Sequence, residues 1–146
     1  MCSKLSFLSA LVATTLSFKV SARELLSLEP GSYTLIEGDR QLCQNFSLSE
    51  RDLLGSAISL GSLYAYDTKN SIHAIESDID PACEFKEVNQ RESTGGQTIL
   101  TRTNEEFCRG KLRSRTISIA NLNGNKIVIT HHIDRATPYK CTWIKE

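Results

Sequence analysis

After its N-terminal stretch, this chain has no apolar run long enough for a membrane-spanning helix, which takes about 20 residues. It also lacks C-x2-C pairs, so its cysteines do not form a zinc knuckle. There is no G-x-S-x-G nucleophile elbow and no glycine-rich phosphate loop. An excess of one charge is missing too: 17 Lys and Arg stand against 17 Asp and Glu. That balance argues against nucleic acid or an anionic membrane surface as partner. No segment sustains a helical apolar period, which excludes a helix bundle.

What is present begins with a leader. Lys4 gives a basic start, Leu5 to Phe18 is apolar with Ser and Thr interspersed, and Val20-Ser21-Ala22 offers a small-x-small cleavage pattern. Residues 1–22 therefore read as a signal peptide, and 23–146 as one domain. The leader carries Lys4 and Lys19 and no acid, so the mature chain holds 15 basic against 17 acidic residues, a net charge of −2. Cys2 leaves with it. The remaining Cys43, Cys83, Cys108 and Cys141 are an even set, as a disulfide framework in an oxidising compartment requires.

The mature chain is dense in Thr, Ser, Ile and Val, with Gly and Asn between short runs. Strands are expected at Ser32–Glu37, Asn45–Ser49, Ala57–Leu60, Ser71–Ser77, Glu84–Arg91, Thr98–Phe107, Lys111–Asn121, Lys126–Asp134 and Lys140–Ile144. A helical turn is expected at Arg51–Leu54. The fold class is all-β: an antiparallel meander of eight or nine strands with two disulfides. A closed barrel is preferred to a sandwich because closure removes exposed edges.

Turn chemistry sets the registers. Gly95-Gly96 suits a two-residue type I′ turn, which needs positive φ twice. Stepping outward from that turn brings Cys83 opposite Cys108, in a non-hydrogen-bonded pair where Cα atoms approach closely enough for a disulfide. Cys43 then pairs with Cys141 by elimination, tying the region after the first strand to the last. For the turn near Asn123, a three-residue loop from Leu122 to Gly124 aligns Ile119 with Ile127 and Ile117 with Ile129. It is preferred to an Asn123-Gly124 turn because four isoleucines then share one face, at about 1.5–3 kcal/mol each on burial. An Arg109-Gly110 turn joins the two intervening strands.

These registers assemble one face with Leu100, Ile119 and Ile127 at one end. At the other lie Glu87, Asn104, Arg115 and His131, then Glu106, Arg113, Phe85 and Ile133. The opposite face, with Val88, Thr101, Thr103, Thr116, Ser118 and Thr130, reads as solvent-facing. A ligand-binding cluster is thus expected from Glu87, Asn104, Glu106, Arg113, Arg115 and His131. The arginines offer paired donors to a polar ligand, and His131 a pH-dependent charge. The competing arrangement is a bulge between Ser114 and Ile117 that turns the charges outward.

His131-His132-x-Asp134 suggests a metal, but adjacent strand residues point to opposite faces, so no metal or other cofactor is assigned. Glu87 and Glu106 are a carboxylate pair of unset separation, and no catalytic residues are assigned. Asn45-Phe46-Ser47 matches the glycosylation sequon, which matters only in a eukaryotic secretory pathway.

Gly31-Ser32-Tyr33, following Glu29-Pro30, resembles the G-x-W start of lipocalin-like (calycin) barrels, with Tyr in place of Trp. The meander and a disulfide drawing the last strand toward the first are similar to that class. The resemblance implies a small exported barrel with a ligand in its interior. The expected function is an exported, secreted or periplasmic, binding protein for a small polar or amphipathic molecule. The alternative is an interaction module or inhibitor of an exported hydrolase, working through loops at Asp39–Cys43, Tyr64–Asn70 and Asp78–Cys83. The partner is accordingly a small molecule or an exported protein. Intact-mass measurement of the exported protein is expected to give a chain beginning at Arg23; a chain retaining Met1 would rule out leader removal.

Overall fold

The structure is a computed structural model that describes residues 26–61, 64–77 and 79–146. The leader at 1–22 lies outside the described residues. Ten strands and one helical turn follow one another: β1 (Gly31–Glu37), β2 (Phe46–Leu48), α1 (Glu50–Leu53), β3 (Ala57–Leu60), β4 (Tyr64–Asp67), β5 (Ser71–Glu76), β6 (Cys83–Thr94), β7 (Gln97–Cys108), β8 (Lys111–Asn123), β9 (Lys126–Ile133) and β10 (Tyr139–Lys145). All strand pairs are antiparallel. The nine expected strands are all represented, and β4 is additional. The helical turn is held by a capping box in which Ser49 and Asp52 bond each other's backbone N–H.

Eight strands form one sheet in the order β2-β1-β10-β9-β8-β7-β6-β5. The sheet is not a closed barrel: β2 and β5 lie at opposite ends and are not paired. The chain between them makes a separate two-stranded sheet, β3–β4. This hairpin packs on one face of the large sheet, and its apolar residues join the core there. Burial is met by this second layer, which is why closure is not needed to exclude water from the sheet.

Gly95 and Gly96 have φ of 61° and 78°, and Thr94 stands opposite Gln97. In that register Cys83 faces Cys108, and the two form a disulfide with a Cα separation of 4.0 Å. Cys43 and Cys141 form the second, with Cα atoms 5.8 Å apart. Beside it Trp143 is fully buried, donates its indole N–H to the Gln44 carbonyl at 2.9 Å, and meets Phe46 edge-on. Phe46 in turn stacks on Tyr33. One end of the core is thus an aromatic cluster pinned by a disulfide.

Two registers differ from expectation. The β8–β9 turn consists of Gly124-Asn125, with Asn123 opposite Lys126 and Leu122 opposite Ile127. The β7–β8 pairing starts as expected at Cys108–Lys111 and Phe107–Leu112, but Glu106 then faces Ser114. Arg113 is the extra residue of a bulge. Beyond it every β8 side chain changes face: Thr116, Ser118, Ala120 and Leu122 turn toward the hairpin, and Arg115, Ile117 and Ile119 turn away. Four isoleucines therefore do not share a face. The physical reason is the covering layer. Ile58, Leu60, Tyr64 and Tyr66 come down from the hairpin as buried side chains, and small Ser118 and Ala120 leave room for them where isoleucines would not.

The two disulfides differ in the loop they close. Replacing Cys43 and Cys141 together by alanine removes a link across 98 residues. Chain entropy gives that link about 4.7 kcal/mol, against about 3.5 kcal/mol for the 25-residue link Cys83–Cys108. Urea denaturation of the two double variants should find the Cys43–Cys141 variant the less stable.

Candidate functional site

The face of the sheet under the hairpin changes character along the strands. At the Trp143 end Thr98, Leu122 and Ile127 lie in one cross-strand row, followed by Leu100, Ala120, Ile129 and Cys141. The next row is polar: Asn89, Arg102, Ser118, His131 and Tyr139. After it come Glu87, Asn104 and Thr116, with Ile133. Strand alternation puts all of these on the covered side. Where the polar rows pass beneath β4, a cleft of about 260 Å³ opens between Tyr64, Ala65 and Tyr66 above and Arg102, Asn104, Thr116, Ser118 and His131 below.

Arg102 is the centre of the polar contacts. Its Nε donates to Glu87 Oε2 at 2.8 Å, its Nη2 lies 2.6 Å from the same oxygen, and its Nη1 donates to the Ala65 carbonyl at 3.0 Å. The other Glu87 oxygen accepts from Asn89 Nδ2 at 2.8 Å. The guanidinium charge is therefore matched inside the protein, and a ligand in the cleft meets dipoles rather than an unpaired cation. Tyr66 and Ser118 share a hydroxyl hydrogen bond, and burial pushes the Tyr66 phenol up to about 12. Tyr64 donates to the Tyr139 hydroxyl at 3.1 Å, and burial raises its pKa as well. Both phenols stay protonated and serve as neutral hydrogen-bonding groups.

His131 lies between Tyr64 and Tyr139, with ring centroids 6.1 and 5.1 Å away. Its Nδ1 is buried and has no hydrogen-bond partner. Burial lowers its pKa, and the charges of His132 and Arg102 lower it further, so the ring is held neutral. An unpartnered polar atom facing this environment is costly to leave unsatisfied, at about 1–3 kcal/mol. Asn89 Oδ1, in the same row, is also buried and unpaired. Ser118 bonds Tyr66, not His131. The arrangement is suited to holding a ligand.

The structure brings together Glu87, Asn104 and His131 of the residues proposed from sequence. Asn104 and His131 line the cleft, and Glu87 lies behind it on Arg102. Glu106 shares their face one row farther out and accepts from Ser114 at 3.2 Å. Arg113 stands in the bulge, largely exposed, 3.8 Å from Glu106. Arg115 is on the open face, where its Nε donates to Glu105 at 2.7 Å. The expected row of Glu87 with Arg115 is replaced by the Glu87–Arg102 pair, because the bulge turns Arg115 away. Sequence reasoning missed Arg102 and the tyrosines. Arg102 falls between Leu100 and Asn104, both expected on that face, so strand alternation was the available signal for it, and the alternation of Tyr64 and Tyr66 was the signal for β4.

His131 and His132 point to opposite faces and share no metal. Among the described residues one trio of metal-type donors is close together, Cys83, Cys108 and Glu106. Its two sulfurs are bonded to each other, which leaves no thiolate to ligate. No family model, curated protein or solved structure matches this chain.

The His131 environment has a consequence for stability. As pH falls through the ordinary value of 6.5, the unfolded chain takes up a proton that the folded imidazole refuses until lower pH. Stability is whole above that value, declines below it, and levels off beneath the folded pKa. Denaturation midpoints at about pH 8 and about pH 5 should differ less in His131→Phe than in the natural chain; an equal difference would remove this role from His131.

Proposed function

We propose that this chain is an exported binding protein that holds a small polar or amphipathic ligand in the cleft beneath β4. The observation that carries the reading is the cleft itself, bordered by His131, Asn104 and Thr116 on the sheet with Tyr64 and Tyr66 above. Asn104 and Thr116 add donors and acceptors, and Tyr64 and Tyr66 supply apolar surface with polar tips. At about 260 Å³ the cleft is just below the usual range for ligand sites, about 300–1,000 Å³, which favours a compact molecule. Because Glu87 neutralises Arg102, a neutral ligand fits better than a strong anion. From the lipocalin-like resemblance the reading keeps a ligand held against the inner face of an antiparallel sheet, but needs no closed barrel. Two disulfides accord with an oxidising destination, and the described residues contain no helix long and apolar enough to cross a membrane.

Native mass spectrometry of the protein recovered from its export compartment tests this reading. A bound mass is expected that is lost on denaturation, and that is absent from His131→Phe and Asn104→Leu variants with unchanged far-ultraviolet circular dichroism. No bound mass, or one that survives both substitutions, would count against the cleft.

A further inference from the structure

The two edges of the eight-stranded sheet are unlike. At one end β2 is three residues long and leads directly into α1, so little backbone is on offer. At the other end β5 is six residues long, Ser-Ile-His-Ala-Ile-Glu, and runs in unbroken register with β6. No strand among the described residues pairs with its other side.

Which backbone groups face that open side follows from one hydrogen bond. Ser77 N–H donates to the Cys83 carbonyl at 3.0 Å, and continuing the β5–β6 register puts these two residues opposite each other. In an antiparallel pair, hydrogen-bonded positions alternate. Ser71, His73 and Ile75 therefore exchange bonds with β6, while the N–H and C=O of Ile72, Ala74 and Glu76 point to the free edge.

Natural sheets protect such an edge with proline, lysine, a bulge or a covering loop. β5 has no proline, no lysine and no bulge. It carries apolar surface instead. Ile79, Ile72 and Ile75 are 96%, 69% and 63% exposed, the highest values among the exposed large hydrophobic residues described, and all lie on β5 or in the loop that follows it. An unprotected, apolar edge is what a pairing surface looks like.

We propose that β5 pairs antiparallel with β5 of a second copy, joining two sheets about a two-fold axis at Ala74. The argument is self-complementarity. Centred on Ala74, Ala74 faces its own copy and Ile72 faces Glu76 of the other chain. All three of these residues have their backbone groups turned outward, so all three facing pairs exchange hydrogen bonds both ways. The smallest side chain of the strand lies on the axis, where a residue faces its own copy. On the other face His73 meets Ile75, and no like charges stand opposite. Centring on His73 sets imidazole against imidazole and loses a bonded pair. Centring on Glu76 sets carboxylate against carboxylate. One strand, β6, separates β5 from the cleft-lining β7, and the outward backbone groups of β5 face away from the cleft.

Sedimentation velocity of the purified protein over a concentration series tests the proposal. The natural chain is expected to move from monomer to dimer. Ala74→Pro removes an outward N–H at an edge position that tolerates proline, and should weaken the dimer at least about tenfold. Unchanged Trp143 fluorescence would report that the fold is retained. A second variant keeps the backbone intact: under oxidising conditions Ala74→Cys should form a covalent dimer across the axis, whereas Ile72→Cys, facing Glu76, should not. A natural chain that stays monomeric throughout, a dimer indifferent to Ala74→Pro, or cross-linking through Ile72→Cys in place of Ala74→Cys would overturn it.

Discussion

Arg102 reaches from β7 to two places at once, the Glu87 carboxylate on β6 and the Ala65 carbonyl on β4. Through it the β3–β4 hairpin is tied to the sheet at the point where the core stops being apolar. The ion pair is only partly buried, with 29% and 27% of the side chains exposed, so solvent weakens its contribution to stability. Its structural consequence is larger. It holds β4 over the polar rows while matching the one cationic charge there, so the space beneath β4 is neither packed shut nor charged. Tyr66 with Ser118 and Tyr64 with Tyr139 make the same connection from the hairpin side.

The composition of that space depends on which way β8 faces. A bulge at Arg113 and a turn at Gly124-Asn125 together present Thr116, Ser118, Ala120 and Leu122 to the hairpin. Small residues on β8 accept large ones from the covering layer, and packing is met by the pair of layers. Ile117 and Ile119 fall on the other side, half-buried among threonines. The gain from one compact face of isoleucines is given up for a face that accommodates two tyrosines.

The disulfides and the edges divide the remaining work. Cys43–Cys141 holds the loop after β1 against β10 beside Trp143, closing the apolar end. Cys83–Cys108 clamps the far ends of β6 and β7, where the strands extend past the apolar core. Neither protects β5. Its exposed isoleucines and outward backbone groups stand apart from both staples, which is why that edge, and not the short β2 edge, is the place for a partner strand.

Much of the fold was legible in local chemistry. Two glycines in sequence specified a turn, the turn specified a register, and the register placed Cys83 opposite Cys108, because strand alternation carries such information without loss until a bulge intervenes. The all-β class and nine strand positions came from the same short-range signals. For the site, Glu87, Asn104 and His131 were legible as sharing a face, since β6, β7 and β9 keep the expected parity. Arg102's pairing and the tyrosines above it were not, and the exclusion of Arg115 was legible only as the competing arrangement, with the bulge at Arg113 and not between Ser114 and Ile117. A single extra residue in β8 flips every side chain beyond it, and what favours that flip is the bulk of a hairpin distant in sequence. Turn residues and spacing by themselves determined nine of the ten strands, the disulfides and the β6–β7 register. Only the tertiary structure decided that the sheet stays open and that β3–β4 covers it, because burial is a property of two layers meeting and neither layer encodes the other's shape.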